Sequence, residues 1–436
     1  MVDLKARWDW EFDLPESART LALRSAKLRS CMGWLRNKTA TVVDLFAGTG
    51  GMGLATLLTD ELRDRARIVH VAELDNDYVD TIRLNYSYFG AHIGSAEQLP
   101  KTIKPVDVSS RPALEELDKI SRRVGGVTLL LAGPPCQGFS KANSISRART
   151  NPKNLLALDT VDCVKAAMPQ IAIIENVPGI QTIRSAKRTS LSVSEHIEHE
   201  LTSLGYYTHT VLLDAADYGV PQHRLRSFTI AISHSILDAY DKTQLIPKPR
   251  YGPGRRFPFR TVRDAFEDLP SLENGSSRTM STYARRATTS LQRELRRYST
   301  TLFDHVTTRH APYVLDRYAA IPPGGNWKSI RRRLRNYAAP DNTHTNIYHR
   351  LDPTRPSRTI GNFRKAMTIH PWEHRGLSLR EAARLQSLPD WLRFFGDTPE
   401  VYRGQLRGLG ARQQQVGNAV CFQLTRYLIS HLFKDA

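Results

Sequence analysis

The sequence predicts an α/β fold: a doubly wound, mostly parallel sheet with a second, smaller and irregular domain. Three observations predict it. Short β-branched runs alternate with helical patterns from Thr41 to about Ser233, a glycine-rich turn follows the first run, and beyond about Ile236 the alternation dissolves into arginine clusters. Strands spaced by helices of ordinary length read as parallel crossover units.

The alternation runs TVVDLF, GMGLATLLTDEL, RIVHVA, NDYVDTIRLNY, VTLLL, NLLALDTVDCVKAAM and QIAIIE. YYTHTVLLD and RSFTIAIS then follow too closely for a crossover helix, so they are expected to pair antiparallel at one edge of the sheet. Between 236 and 349 lie arginine clusters, among them RRRLR from 331, with aromatics and turn-rich stretches such as SLENGSSRTMS. Ser378-Leu-Arg-Glu381 is a capping box opening a helix that Pro389 stops, and VCFQLTRYLISHLF reads as a helix returning to the first domain. The expected division is an N-terminal extension (1–40), an α/β domain (41–235), a second, irregular arginine-rich region (236–349) and a returning segment (350–436).

Lys and Arg total 62 against 43 Asp and Glu, a formal net charge of +19, which attracts polyanions and makes nucleic acid the first partner to consider. Cys31, Cys136, Cys163 and Cys421 are scattered, with no CxxC pair, so neither a metal site nor a disulfide framework is expected. The N-terminus lacks a signal-peptide core and no run reaches the roughly 18 apolar residues of a membrane span. A cytoplasmic protein is expected.

Chemistry concentrates in four motifs. Gly48, Gly50 and Gly53 fit GxGxxG between a strand and a helix, and Glu73 lies at the end of the next strand, where an acid binds ribose hydroxyls; a nucleotide-like cofactor follows. Gly133-Pro-Pro-Cys-Gln-Gly-Phe-Ser140 comes directly after VTLLLA, and its two prolines present Cys136 on a rigid turn at the strand's C-terminal end. Glu175 ends another parallel strand and so approaches the same sheet edge. In Gln222-His-Arg-Leu-Arg226, alternation puts Gln222, Arg224 and Arg226 on one face, suited to an anionic or carbonyl-bearing ligand.

With DLFAGTGGMG, GPPCQGFS, ENV, QHRLR, LDPTRPSRTI, LSLREAARLQSLPD and QVGNAV in this order, the chain resembles the bacterial cytosine-5 DNA methyltransferases over roughly residues 41 to 425, apart from a variable stretch near 236 to 300. The resemblance implies the class I, Rossmann-like methyltransferase fold and S-adenosylmethionine as cofactor. Phe46 would stack on its adenine and Glu73 would bind its ribose, with Gly48, Gly50, Gly51, Asp107, Pro135 and Asn418 completing the cofactor site. Cys136 would be the nucleophile, Glu175 would engage the cytosine, and Arg224 and Arg226 would help hold the base and the cysteine. Gln222 and Ser140 are expected on the DNA side, and the variable stretch looks like the family's target-recognition region.

Double-stranded DNA is thus the expected partner, bound by a monomer without metal or membrane, and a restriction endonuclease acting on the same site is a further expected companion. Cys136 would add to carbon 6 of the cytosine, which it cannot do within a stacked duplex, so the base must be flipped out, and residues 140–154 are expected to close over it as a lid. Three readings compete: the same chemistry on RNA, an NAD-dependent oxidoreductase, and a catalytically inactive DNA-binding protein. Gly138-Phe-Ser140 weighs against the first, QHRLR and the arginine-rich region against the second, and the joint presence of Cys136, Glu175, Arg224 and Arg226 against the third. The chain departs from the family pattern in following GNAV with Cys421-Phe422 rather than prolines, in lacking a clean match for the adenine-binding acid, for which Asp107 is the candidate, and in residues 1–40.

Overall fold

The computed structural model describes residues 38–135, 156–183, 191–334, 347–396 and 409–434, together with Leu35 and two short strand segments, Val401–Tyr402 and Gln405–Leu406. Cys136, Ser140, the expected lid and most of the N-terminal extension lie outside the described residues. The first half comprises β1 (Ala40–Leu45), α1 (Gly51–Leu57), β2 (Ala66–Ala72), α2 (Asn76–His92), α3 (Arg111–Arg123), β3 (Leu129–Ala132), α4 (Leu156–Ala167), β4 (Ile171–Asn176), α5 (Val193–Ser203), β5 (Tyr206–Asp214) and β6 (Leu225–Ser233).

These six strands form one sheet in the order β2-β1-β3-β4-β6-β5. β1 to β4 pair in parallel, while β6 runs antiparallel to both β4 and β5, which leaves the expected antiparallel pair at the edge. The inner parallel strands are mostly apolar because helices cover both faces, with Asp44 of β1 and Glu175 and Asn176 of β4 as buried polar exceptions toward their C-terminal ends. Side chains alternate accordingly: Val42, Leu129, Leu131, Ile171 and Ile173 enter one core, and Val43, Leu130, Ala132, Ala172 and Ile174 the other. The helix α1 and the C-terminal helix pack on the first face, α4 and α5 on the second.

The second half holds α6 (Val262–Phe266), α7 (Ser290–Arg296), α8 (Pro312–Ala319), α9 (Leu379–Leu385), α10 (Leu409–Asn418) and α11 (Phe422–Phe433). Its boundary near 236 is a change of texture rather than a break in packing. Leu245, Val262, Phe266, Leu291, Leu295 and Val306 join the same core as α1 and α11, whereas Val314, Tyr318, Ile321, Trp327, Ile330, Leu334, Tyr348 and Ile369 form a core of their own.

The capping box forms at α9, with Ser378 Oγ accepting from Glu381 N and the Glu381 carboxylate accepting from Ser378 N. Every residue of this helix is buried, including Arg380 and Arg384 at 0% exposure. Arg380 donates to the carbonyls of Phe303, Pro389 and Leu392, and Arg384 is held between the carboxylates of Asp268 and Asp390. Such charges persist in a core because each one is paired or hydrogen-bonded. They tie α9 to the end of α6, to the turn after it and to the backbone at Phe303.

Candidate active site

The glycine loop leaves β1 through backbone that favours glycine. Phe46, Gly48 and Gly50 have φ of 51°, 57° and 74°, and Gly50 caps α1 in the left-handed region. Gly53 is required by space: a Cβ there would lie 2.8 Å from Asp44 Oδ2 and 2.9 Å from the Ile68 side chain. Its N–H donates to that same Asp44 oxygen at 2.9 Å. Burial pushes the Asp44 carboxyl up to about 8, against the opposing pull of the Gly53 N–H.

Glu73 stands where β2 ends. Its Oε2 accepts from Gly48 N at 2.9 Å, and its Oε1 from Leu74 N and Asp75 N at 2.9 and 3.1 Å, so one carboxylate fixes both the glycine loop and the entry to α2. Burial raises its pKa while these N–H groups pull it down. Tyr78, in the first turn of α2, accepts from Asn418 Nδ2 at 3.0 Å, which ties the end of α10 to this loop. Asp107 also reaches the neighbourhood, because Val106 N donates to Glu73 O at 2.7 Å after the chain completes α2 and returns. The Asp107 carboxylate accepts from Ser109 N and Oγ at 3.0 and 2.7 Å.

β3 delivers Gly133-Pro134-Pro135 beside this loop, with Gly133 N bonded to Leu45 O at 3.3 Å. A Cβ on Gly133 would lie 3.8 Å from both Phe46 O and the Val420 side chain, so the glycine loop, the double-proline turn and the GNAV segment converge. Neighbouring β4 supplies Glu175, whose Oε1 meets Arg226 Nε at 2.9 Å. Burial raises the Glu175 pKa, and Arg226 and then Arg224 lower it.

Two expected site residues take different positions. Gln222, placed on the DNA side from sequence, is fully buried: its Nε2 donates to Leu385 O and its Oε1 accepts from Ile360 N, both at 3.1 Å. Arg224, expected at the base, is buried and donates to the carbonyls of Ile360 at 2.9 Å, Gly417 at 3.0 Å and Ala419 at 3.1 Å. Alternation does put Gln222, Arg224 and Arg226 on one face, but the segments at 357–361 and 417–419 cover its first two members. Arg226 alone of the three meets Glu175.

The GNAV segment turns without prolines. Cys421 has φ −63°, the value a proline ring would impose, and caps α11, whose first N–H groups donate to Gln386 O and Ser387 Oγ. Burial pushes the Cys421 thiol up to about 11, which makes it an inert core group. Sequence reasoning missed Asp44 and Tyr78. Asp44 carried a signal, an acid inside the apolar run TVVDLF, whereas Tyr78 had none beyond its place in a helical pattern.

The C-5 cytosine-specific DNA methylase family matches residues 40–434, and the chain belongs to that family. Its activity is the methylation of DNA cytosine at carbon 5. It is 29% identical to the Type II methyltransferase M.DdeI of Desulfomicrobium norvegicum over 87% of this chain and 85% of that one. Identity to M1.HphI of Haemophilus parahaemolyticus is also 29%, over 87% and 83% of the two chains. In fold it resembles the Dnmt2 methyltransferase of S. pombe, with a TM-score of 0.56 at 15% identity over 91% and 98% of the chains. No helix among the described residues is long and apolar enough to cross a membrane, and no cluster of potential metal ligands occurs among them.

Proposed function

We propose that the chain methylates carbon 5 of a cytosine flipped out of duplex DNA, with S-adenosylmethionine as methyl donor and Cys136 as nucleophile. The observation that carries this reading is the Glu175–Arg226 pair, 2.9 Å apart at the same sheet edge as the glycine loop and the Gly133–Pro135 turn.

The residues present fit the cofactor. The left-handed backbone at Gly48 and Gly50 keeps side chains out of the loop, Phe46 offers a ring, and Glu73, Asp107 and Asn418 offer polar groups for ribose and adenine, with Gly51 and Pro135 lining the approach. Bound there, S-adenosylmethionine supplies an electrophilic methyl group.

Carbon 5 of cytosine is a weak nucleophile, so electrons must be pushed into the ring. The Cys136 thiolate adds to carbon 6, and the displaced π electrons make carbon 5 nucleophilic enough to take the methyl group. Loss of the carbon 5 proton then re-forms the double bond as the thiolate departs. Glu175 shares a proton with N3 while Arg226 faces O2, which stabilises the charge that develops during addition. Arg224 acts through the backbone it clamps and positions this strand.

The region 236–349 reads the target sequence. The enzyme works as a monomer in the cytoplasm, accompanied by a restriction endonuclease of the same specificity. The Type II designation of M.DdeI and M1.HphI supports that last pairing.

Duplex DNA carrying 5-fluorocytosine at the target position tests the mechanism. Fluorine cannot leave as a cation, so enzyme and methylated DNA are expected to stay joined through denaturation, only with S-adenosylmethionine present, and with the adduct on Cys136. Normal turnover without adduct, or an adduct on another cysteine, overturns the proposal.

A further inference from the structure

Residues 353–372 carry four Lys or Arg and no Asp or Glu. Two apolar anchors hold most of that charge outward: Ile360 and Phe363 are buried in the main core, while Arg358, Thr359, Gly361, Arg364 and Lys365 are exposed. Arg355 pairs with Asp352 at 3.6 Å, but Arg358, Arg364 and Lys365 have no ion-pair partner among the described residues. Surface arginines such as Arg83 and Arg111 differ, each matched by an acid three or four positions away. The unmatched charge is felt nearby. Burial and then Arg358 hold His349 below the usual imidazole range, and burial and then Arg364 do the same to His310.

This strip borders the catalytic edge. Ser357 N donates to Pro221 O at 2.9 Å and His223 N to Ser357 O at 2.8 Å, so the chain from 357 runs parallel beside the entry to β6. Thr359 Oγ1 donates to His223 O at 2.7 Å, and Arg224 to Ile360 O at 2.9 Å. Arg226, which meets Glu175, stands two residues beyond Arg224, roughly 7 Å along an extended strand. Asp214, the acid beside this entry, is engaged by Ala216 N, Arg224 N and His223 Nδ1.

Gly361 has no internal reason to be glycine. Its φ lies outside the left-handed region, and a Cβ on it would meet nothing within 4 Å. Close approach of a ligand to the backbone is the remaining reason. Asn362, which could read an adenine edge, has its Oδ1 occupied by Lys365 N at 3.0 Å.

We propose that Arg358, Thr359, Gly361, Arg364 and Lys365 form a strip that binds successive backbone phosphates of the DNA beside the flipped cytosine, whatever the sequence. It rests on Glu175 and Arg226 marking where that base enters. Phosphate contacts set the register of a duplex and carry no sequence information, so the strip differs in kind from a region that reads the target.

The test uses the full chain and two duplexes of equal length, one that the wild type methylates and one that it leaves unmethylated, titrated over a range of salt. Arg358→Gln, Arg364→Gln and Lys365→Gln should each weaken both duplexes by the same factor and reduce the double-logarithmic salt slope by about 0.9, one phosphate apiece. Gly361→Asp should weaken both about tenfold with the unfolding temperature unchanged, because like charge is set against phosphate in a space the protein leaves open. Arg123→Gln is the control: it removes the same charge at the end of α3, before β3 begins and so beyond the opposite edge of the sheet, and should leave the slope unchanged. Unchanged slopes in the three strip variants, or an equal fall in Arg123→Gln, overturn the strip. A loss confined to the methylated duplex also overturns it, since these residues would then read bases. The slope on the unmethylated duplex is read from binding alone, so it decides the strip even where the 5-fluorocytosine adduct fails to form.

Discussion

Arg226 and Glu175 form an ion pair across neighbouring strands β6 and β4, with Nε 2.9 Å from Oε1 and both side chains largely shielded from water. Burial drives the carboxyl toward its neutral form and the guanidinium restrains it. Arg226→Gln removes the restraint, so the Glu175 pKa should move further up. The limb that Glu175 contributes to the pH profile of methyl transfer should shift to higher pH, with kcat reduced about 100-fold, as expected when a transition-state partner worth about 3 kcal/mol is lost. An unchanged or downward-shifted limb would show that the pair does not control this proton.

Arg224 is the clamp behind that pair. Its three bonds to the carbonyls of Ile360, Gly417 and Ala419 hold two distant segments together where Gly417 packs against the backbone of Gly361. Arg224→Met should lower unfolding stability by about 3 kcal/mol, since buried carbonyls lose charged donors. Gly417→Ala should act on the same contact, and urea unfolding of the double variant should fall short of the sum of the single losses. Full additivity would separate the two.

Asp44 makes stability depend on pH in a direction opposite to most carboxylates. Its folded pKa, about 8, lies above the ordinary value of 3.8, so the folded state keeps a proton that the unfolded chain releases. The contribution is fully present below about 3.8 and is lost as pH rises toward 8. Asp44→Asn keeps an acceptor for Gly53 N and removes the titration. Urea midpoints of this variant should exceed those of the wild type at pH 7.5 and match them more closely at pH 5; equal differences at both would refute the buried neutral acid.

Glu73 serves the loop before it serves any ligand. Glu73→Ala frees the N–H of Gly48 and should weaken S-adenosylmethionine binding about 10- to 100-fold, the worth of one or two charge-assisted hydrogen bonds. Glu73→Gln keeps one acceptor and should fall between that variant and wild type. Calorimetric titration distinguishes them, and unchanged affinity in Glu73→Ala would remove Glu73 from the cofactor site.

Much of the architecture was legible because it rests on local pattern. Apolar runs such as VTLLL and QIAIIE, alternating with helices, specify buried parallel strands, and Ser378 with Glu381 specifies a helix start, since both depend on side chains a few residues apart. Motif spacing likewise brought Glu73, Pro135 and Glu175 to one edge, because the C-terminal ends of adjacent parallel strands lie together. The expectation that family resemblance attached to Gln222 and Arg224 went further than pattern allows. Which members of an alternating face stay open depends on what covers it, and the covering chain comes from residues 357–361 and 417–419, more than 130 positions away.

By itself the sequence determined the sheet, the glycine loop with its acid, and the antiparallel edge pair, all encoded in periodicity and turn chemistry within short windows. Only the tertiary structure decided that Arg226 meets Glu175 while Arg224 braces the fold, and that α9 is buried on every side around paired charges. Burial and charge pairing are set by neighbours that the chain brings together from far apart, and no local window contains them.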